Sequence, residues 1–164
     1  MVGKDIFLQH IKENEPIIYK LARLYAADEH ELKDMYQETV YQAWKAWPGF
    51  KGDARFSTWL YRLCLNTLLA MKRKNKAIPY GDGLVELAGV VTPMSIEQEQ
   101  VNALYKAIKT LSETDRALIT MHLDGFSNPE IAEMVGISDN YVAVKLSRIR
   151  EQLYQLLNSK GYGY

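Results

Sequence analysis

The chain is expected to be all-α: two small helical domains joined by a linker, the C-terminal one a helix-turn-helix. Three observations predict this. Apolar residues recur at three- and four-residue spacing over most of the 164 positions. Helix-start signals, Ser, Asp or Asn followed three residues later by Glu or Gln, stand ahead of several of these runs. Residues 77–94, with three Gly and two Pro, sustain no period and separate 1–76 from 95–164.

Taken in order, residues 4–13 predict a short helix. Asn14 then serves as N-cap of a second one, with Pro16 in its first turn and Ile17, Leu21, Leu24 and Tyr25 on its inner face. Asp28-Glu29-His30-Glu31 opens a third helix whose stripe runs Leu32, Met35, Tyr36, Thr39, Val40, Ala43, Trp44, Trp47. Pro48, Gly49 and Gly52 make 47–55 a loop. A fourth helix runs from near Phe56 to about Lys76, with Leu60, Leu63, Cys64, Thr67, Leu68 and Met71 inward and Arg62, Asn66, Leu69 and Arg73 on the far side. Trp44, Trp47 and Trp59 are expected in the core. Residues 77–94 read as a linker.

Beyond the linker, Ser95 with Gln98, Ser112 with Asp115 and Ser127 with Glu130 each open a helix. Gly125 and Gly136 end the second and third of these. Ser138 caps a long last helix reaching about Asn158, with Val142, Leu146, Ile149 and Leu153 facing the core. The tail from Gly161 is expected to fray.

Net charge is zero, so bulk electrostatics predict no polyanion partner. The distribution is uneven. Residues 1–76 carry thirteen Lys and Arg against nine Asp and Glu, and 95–164 carry seven against nine. Within the first domain, 28–38 holds five carboxylates and one Lys, whereas 62–76 holds five cations and no carboxylate. Opposite charge at the two ends of one unit suggests two macromolecular partners; two solvated helix faces are the plainer alternative. Cations at 72–76 also suit a helix C-terminus. Binding of nucleic acid by the isolated chain should be local and weak.

Cys64 is the sole cysteine, which excludes an intrachain disulfide. His10, His30 and His122 lie far apart, and nothing proposes a catalytic residue, a metal or a cofactor; the chain is not expected to be an enzyme. With no long apolar run and no secretory pattern, a cytoplasmic protein without membrane insertion is expected.

Residues 127–152 have the short helix, tight turn and longer helix of a helix-turn-helix. The face of the long helix turned from the core presents Asn140, Tyr141, Val144, Ser147, Arg148 and Glu151, flanked by Lys145 and Arg150. Such a helix enters a major groove N-terminus first. Arg148 suits guanine or phosphate, Asn140 adenine or phosphate, and Val144 a thymine methyl. A hairpin used only for packing is the competing reading.

Two blocks now resemble a known family. Asp34-Met35-Tyr36-Gln37-Glu38, Ala43-Trp44 and Phe50-Lys51-Gly52-Asp53-Ala54-Arg55-Phe56-Ser57-Thr58-Trp59-Leu60-Tyr61-Arg62 with Asn66 are similar to the N-terminal half of the extracytoplasmic-function sigma factors of bacterial RNA polymerase. Leu111-Ser112-Glu113-Thr114-Asp115-Arg116, Ile131-Ala132-Glu133 and Gly136-Ile137-Ser138 through Arg148-Ile149-Arg150-Glu151 resemble their C-terminal half.

The resemblance implies that 1–76 binds core polymerase and melts the −10 element, and that 95–164 reads the −35 element. Asp34, Gln37 and Glu38 would grip the β′ coiled coil. Phe50, Lys51, Asp53 and Arg55 would line the −10 loop, and Asn66 would face an extruded base, which needs hydrogen bonds and a stacking surface. Arg62, Lys72, Arg73 and Lys74 would hold phosphates. Ser138, Asn140, Tyr141, Val144, Lys145, Arg148 and Arg150 would meet the −35 duplex, and the linker would thread toward the RNA exit path. Family habit also implies an anti-sigma factor.

Two departures stand out. Tyr141-Val142-Ala143-Val144-Lys145 replaces a common Thr-Val-Lys-Ser-Arg, which implies a different −35 preference, and Ala70 replaces a common acid. The alternative function is a stand-alone helix-turn-helix regulator with an N-terminal sensing or dimerisation domain; a nucleic-acid enzyme is a more distant one.

Overall fold

A computed structural model describes residues 2–74 and 95–159, in which helices are the only extended regular structure. The expected linker and the tail lie outside the described residues. Contacts divide the chain into two units, Met1–Leu87 and Ala88–Tyr164.

The first unit holds α1 (Val2–Glu13), α2 (Glu15–Tyr25), α3 (Glu29–Ala46) and α4 (Phe56–Lys74), with a 3-10 turn at Trp47–Gly49. Asp28 caps α3 as expected, Oδ1 accepting from the Glu31 amide at 2.7 Å. Asn14 occupies the cap position of α2 without capping it. Its Nδ2 instead donates backward to the His10 carbonyl at 2.7 Å, so α1 and α2 nearly run on. Ile18, Leu21 and Leu24 of α2, Leu32, Met35 and Ala43 of α3, and Leu60, Cys64 and Leu68 of α4 build the core. Each fully buried Leu or Ile contributes roughly 1.5–3 kcal/mol, so this apolar core carries the unit's stability.

The inner face of α4 differs from expectation by about a quarter turn. Tyr61 and Leu65 are buried, whereas Leu63, Thr67 and Met71 are only partly covered. α4 packs against both α2 and α3, so its buried arc centres on Leu68 rather than on the Leu63 side. Lys72 turns inward with this arc. It is 3 % exposed and its ammonium is ion-paired to Glu31 in the first turn of α3. The expectation of a phosphate contact at Lys72 is therefore corrected: the side chain ties the end of α4 to the start of α3. The tryptophans also depart from expectation. Trp44 is 42 % exposed, and Trp47 and Trp59 are half-buried.

Cys64 lies buried with its Sγ 3.8 Å from Thr39 Oγ1. Burial pushes the thiol up to about 12, against a smaller opposing effect of Thr39. A thiol so protonated and covered is inert packing.

The second unit holds α5 (Ile96–Lys109), α6 (Glu113–Leu123), α7 (Asn128–Val135) and α8 (Asp139–Ser159). Ser95 with Gln98 and Ser127 with Glu130 form reciprocal capping boxes, and Ser112 accepts from the Asp115 amide at 3.2 Å. Gly136 ends α7 at φ +81°, a left-handed conformation that side-chain-bearing residues resist. Val142, Leu146, Ile149, Leu153 and Leu157 of α8 pack on Ile131, Leu118 and Ile108.

Removing one partner of a covered ion pair is costly. Lys72→Ala or Glu31→Ala is thus expected to destabilise the first unit by roughly 3 kcal/mol in denaturant unfolding, and Lys72→Met with Glu31→Leu much less than either single change. A loss in the double variant equal to the sum of the two single losses would show that the pair is not coupled.

Candidate nucleic-acid and protein interfaces

α3 forms a ridge between two grooves. Its crest carries Asp34 and Gln37, both exposed. On one flank Glu38 and Gln42, one turn apart, lean toward α4, with Gln42 Nε2 donating to Glu38 Oε1 at 2.8 Å. On the other, Val40 and Trp44 lean toward α1 and join Phe7 and Leu8 in an apolar groove. Tyr36 braces the ridge from beneath: its ring stacks on Tyr19 at 4.7 Å, and its hydroxyl donates to Glu15 at 2.6 Å. Burial, then the Glu15 carboxylate, raise this phenol above its ordinary range. The three residues expected to grip a protein thus stand together at the surface, with Glu38 half-covered on the rim of the α4 groove.

The loop after α3 is held by rings. Phe50 is half-buried, stacked on Trp47 at 5.6 Å and packed against Phe56 and Trp59 at 5.8 and 5.1 Å. His10 of α1 stacks on Phe56 at 4.7 Å and so joins the same cluster. Offset and edge-on ring pairs of this kind each add about 0.5–1.5 kcal/mol beyond burial, so the loop has a fixed base. Lys51, Asp53 and Arg55 are exposed beyond it, with Gly52 at φ +77° turning the chain between them. Phe50 therefore anchors the loop while staying half-buried.

Arg62, Asn66 and Arg73 lie exposed along one side of α4, and Lys74 is exposed at its end. Together with Glu38 and Gln42 of α3, residues Arg62, Asn66 and Lys74 border an open groove of about 970 Å³. Gln42 was not singled out by the sequence. Its signal was its place four residues after Glu38, on the same face of α3.

In the second unit α8 presents Asn140, Tyr141, Val144, Arg148 and Arg150 to solvent, Tyr141 and Val144 being 48 % and 42 % exposed. Two apolar side chains left open on a helix that buries its other face are available for contact. Ser138 is exposed, and its Oγ accepts from the Tyr141 amide at 3.1 Å, leaving the hydroxyl hydrogen to donate. Lys145 is half-buried. Its ammonium lies 3.3 Å from Asp115 of α6 and 6.0 Å from the Tyr141 ring centre, so one carboxylate restrains it. No local pattern signals that pairing, since the partners are thirty positions apart.

Models of sigma-70 region 2 and sigma-70 region 4 match residues 10–78 and 102–153. Among characterised proteins, the ECF RNA polymerase sigma-E factor of Salmonella typhimurium is 30 % identical, covering 75 % of this chain and 72 % of its own. The ECF RNA polymerase sigma factor SigM of Mycobacterium tuberculosis is 27 % identical over 93 % of this chain and 76 % of its own. Two solved structures share the fold. One is the sigma factor RpoE in complex with the anti-sigma factor NepR from Bartonella quintana: TM-score 0.74, 21 % identity, 93 % of this chain and 96 % of that one. The other is CnrH in complex with the cytosolic domain of CnrY, at TM-score 0.67, 23 % identity, 95 % and 90 %.

Asp115→Asn releases Lys145 from its carboxylate. Duplex DNA binding is expected to strengthen, and the slope of log K against log salt to steepen by about one contact. An unchanged slope would show that Asp115 does not restrain this cation.

Proposed function

The chain belongs to the extracytoplasmic-function sigma factors of bacterial RNA polymerase, and from that membership we propose how its surfaces divide the work of initiation. As an alternative sigma factor it binds core RNA polymerase and directs promoter-specific transcription initiation. Residues 1–76 form the domain for polymerase and the −10 element, 77–94 the linker, and 95–164 the domain for the −35 element.

Asp34, Gln37 and Glu38 grip the β′ coiled coil. The exposure of all or part of each on a braced ridge carries this assignment. Phe50, Lys51, Asp53 and Arg55 line the −10 loop, whose ring-packed base holds it in place without help from DNA. Asn66 faces an extruded base, because a carboxamide both donates and accepts along a base edge. Arg62, Arg73 and Lys74 position phosphates. Ser138, Asn140, Tyr141, Val144, Lys145, Arg148 and Arg150 meet the −35 duplex, with Val144 suited to a thymine methyl and Arg148 to guanine.

These contacts suffice only together. A few local cations give weak binding at physiological salt. Seating on the polymerase raises the effective concentration of the second and third contacts, so joint engagement far exceeds any one alone. The protein works in the cytoplasm, where polymerase is. An anti-sigma factor is a further partner: among the structural relatives RpoE was captured with the anti-sigma factor NepR, and CnrH with the cytosolic domain of CnrY.

Reconstitution with core polymerase tests the reading. The chain is expected to support run-off transcription from a two-element promoter and to lose polymerase binding on Asp34→Arg with Glu38→Arg, with helicity by circular dichroism unchanged. Retained binding would remove the ridge from the interface. Protection of a palindromic operator by the chain alone, without affinity for polymerase, would favour a stand-alone regulator.

A further inference from the structure

The groove between α3 and α4 has a wall that the assignments above leave unused. Gln42 enters it from α3, facing the α4 side that carries Asn66. Two carboxamides on opposite walls offer paired donors and acceptors. Its floor is apolar: Leu63 and Met71 are half-covered, because the buried arc of α4 is rotated away from them. Ala46 and Ala70 add small, uncharged side chains to its walls, Ala70 standing where the family often has an acid. Arg62 and Lys74 border the groove from positions about 18 Å apart along α4. Glu38, the carboxylate on the rim, already accepts from Gln42 at 2.8 Å.

The geometry points to Gln42 as a specificity-determining residue that reads the edge of an unpaired base held in this groove. The occupant is the single-stranded non-template −10 segment. Cations near the two ends suit phosphates a few nucleotides apart, and an apolar floor with two amides suits a base. With one amide hydrogen committed to Glu38, Gln42 keeps its carbonyl oxygen and its second N–H for the base. That is the donor-acceptor pair with which Gln contacts adenine. Glu38 thereby orients the reader from the same ridge that grips polymerase. The inference rests on the assignment of the exposed side of α4 to the −10 strand.

The test uses holoenzyme reconstituted with the full chain and a promoter library randomised through the −10 element. Base preference is read from transcript counts, and core affinity is measured separately. Gln42→Leu is expected to relax preference about tenfold at one −10 position, with core affinity unchanged. Gln42→Arg, which Glu38 can still orient, is expected to move that position toward guanine, whose O6 and N7 accept from a guanidinium. Asn66→Ala, read in parallel, separates the two levels. If it alters the profile while both Gln42 variants leave it intact, the inference falls and the −10 assignment of α4 stands. If neither residue changes the profile, the −10 assignment falls with it. Loss of core binding in Gln42→Leu would place the residue in the protein grip and overturn its role as a reader.

Discussion

The packing of α3 along α4 is the constraint from which the surfaces of the first unit follow. The ring cluster of Phe50, Phe56 and Trp59 holds the loop that joins them, and Glu31 with Lys72 ties the other end. Between these ties the helices bury Leu32, Met35, Leu60 and Leu68 and leave a groove on the outer side. An ion pair this covered adds little net stability over an apolar substitute, because desolvation offsets the attraction. What it does supply is register, since Lys72 meets its partner at only one setting of the two helices. Register in turn decides which residues of α4 face the groove and which are buried.

This arrangement places protein-binding and DNA-binding candidates one helical turn apart. Asp34 and Gln37 crown the ridge, Glu38 stands on its shoulder, and Gln42 begins the groove. A short hydrogen bond from Gln42 to Glu38 links the shoulder to the groove. The second unit is built on a different economy of contacts: capped short helices, a left-handed glycine and one long helix whose outer face stays open. Such a helix can meet a partner without deforming itself.

Much of this was legible in the sequence, because capping and periodicity are local. Asp28, Ser95, Ser112 and Ser127 accept the backbone donors their spacing predicts, and Gly136 takes the conformation its place implies. The exposed side of α8 was equally readable, since one apolar stripe fixes the opposite face. The errors lie where tertiary contacts decide. The buried arc of α4 depends on how α2 and α3 share it, which no single-helix period contains. Lys72 reads as one more cation in a basic run, and its pairing with Glu31 across the interface shows only in the folded unit. Trp44 follows the apolar stripe of α3 and packs on Phe7 of α1, yet stays exposed at the groove between the two helices. Asn14 shows the limit of a cap signal, its amide being taken by the preceding helix. Of the groove, Asn66 and Arg62 were visible and Gln42 was not, because nothing in one chain segment says what a second helix will face.

The most direct measurement is site-specific photo-cross-linking in holoenzyme on its promoter, with the reactive side chain placed at position 66 and, separately, at position 148. From position 66 the label is expected to reach non-template bases of the −10 element only once the duplex has opened. From position 148 it should reach the −35 duplex before and after opening. Labelling of the template strand from position 66, or no DNA product from it in the open complex, would contradict the account.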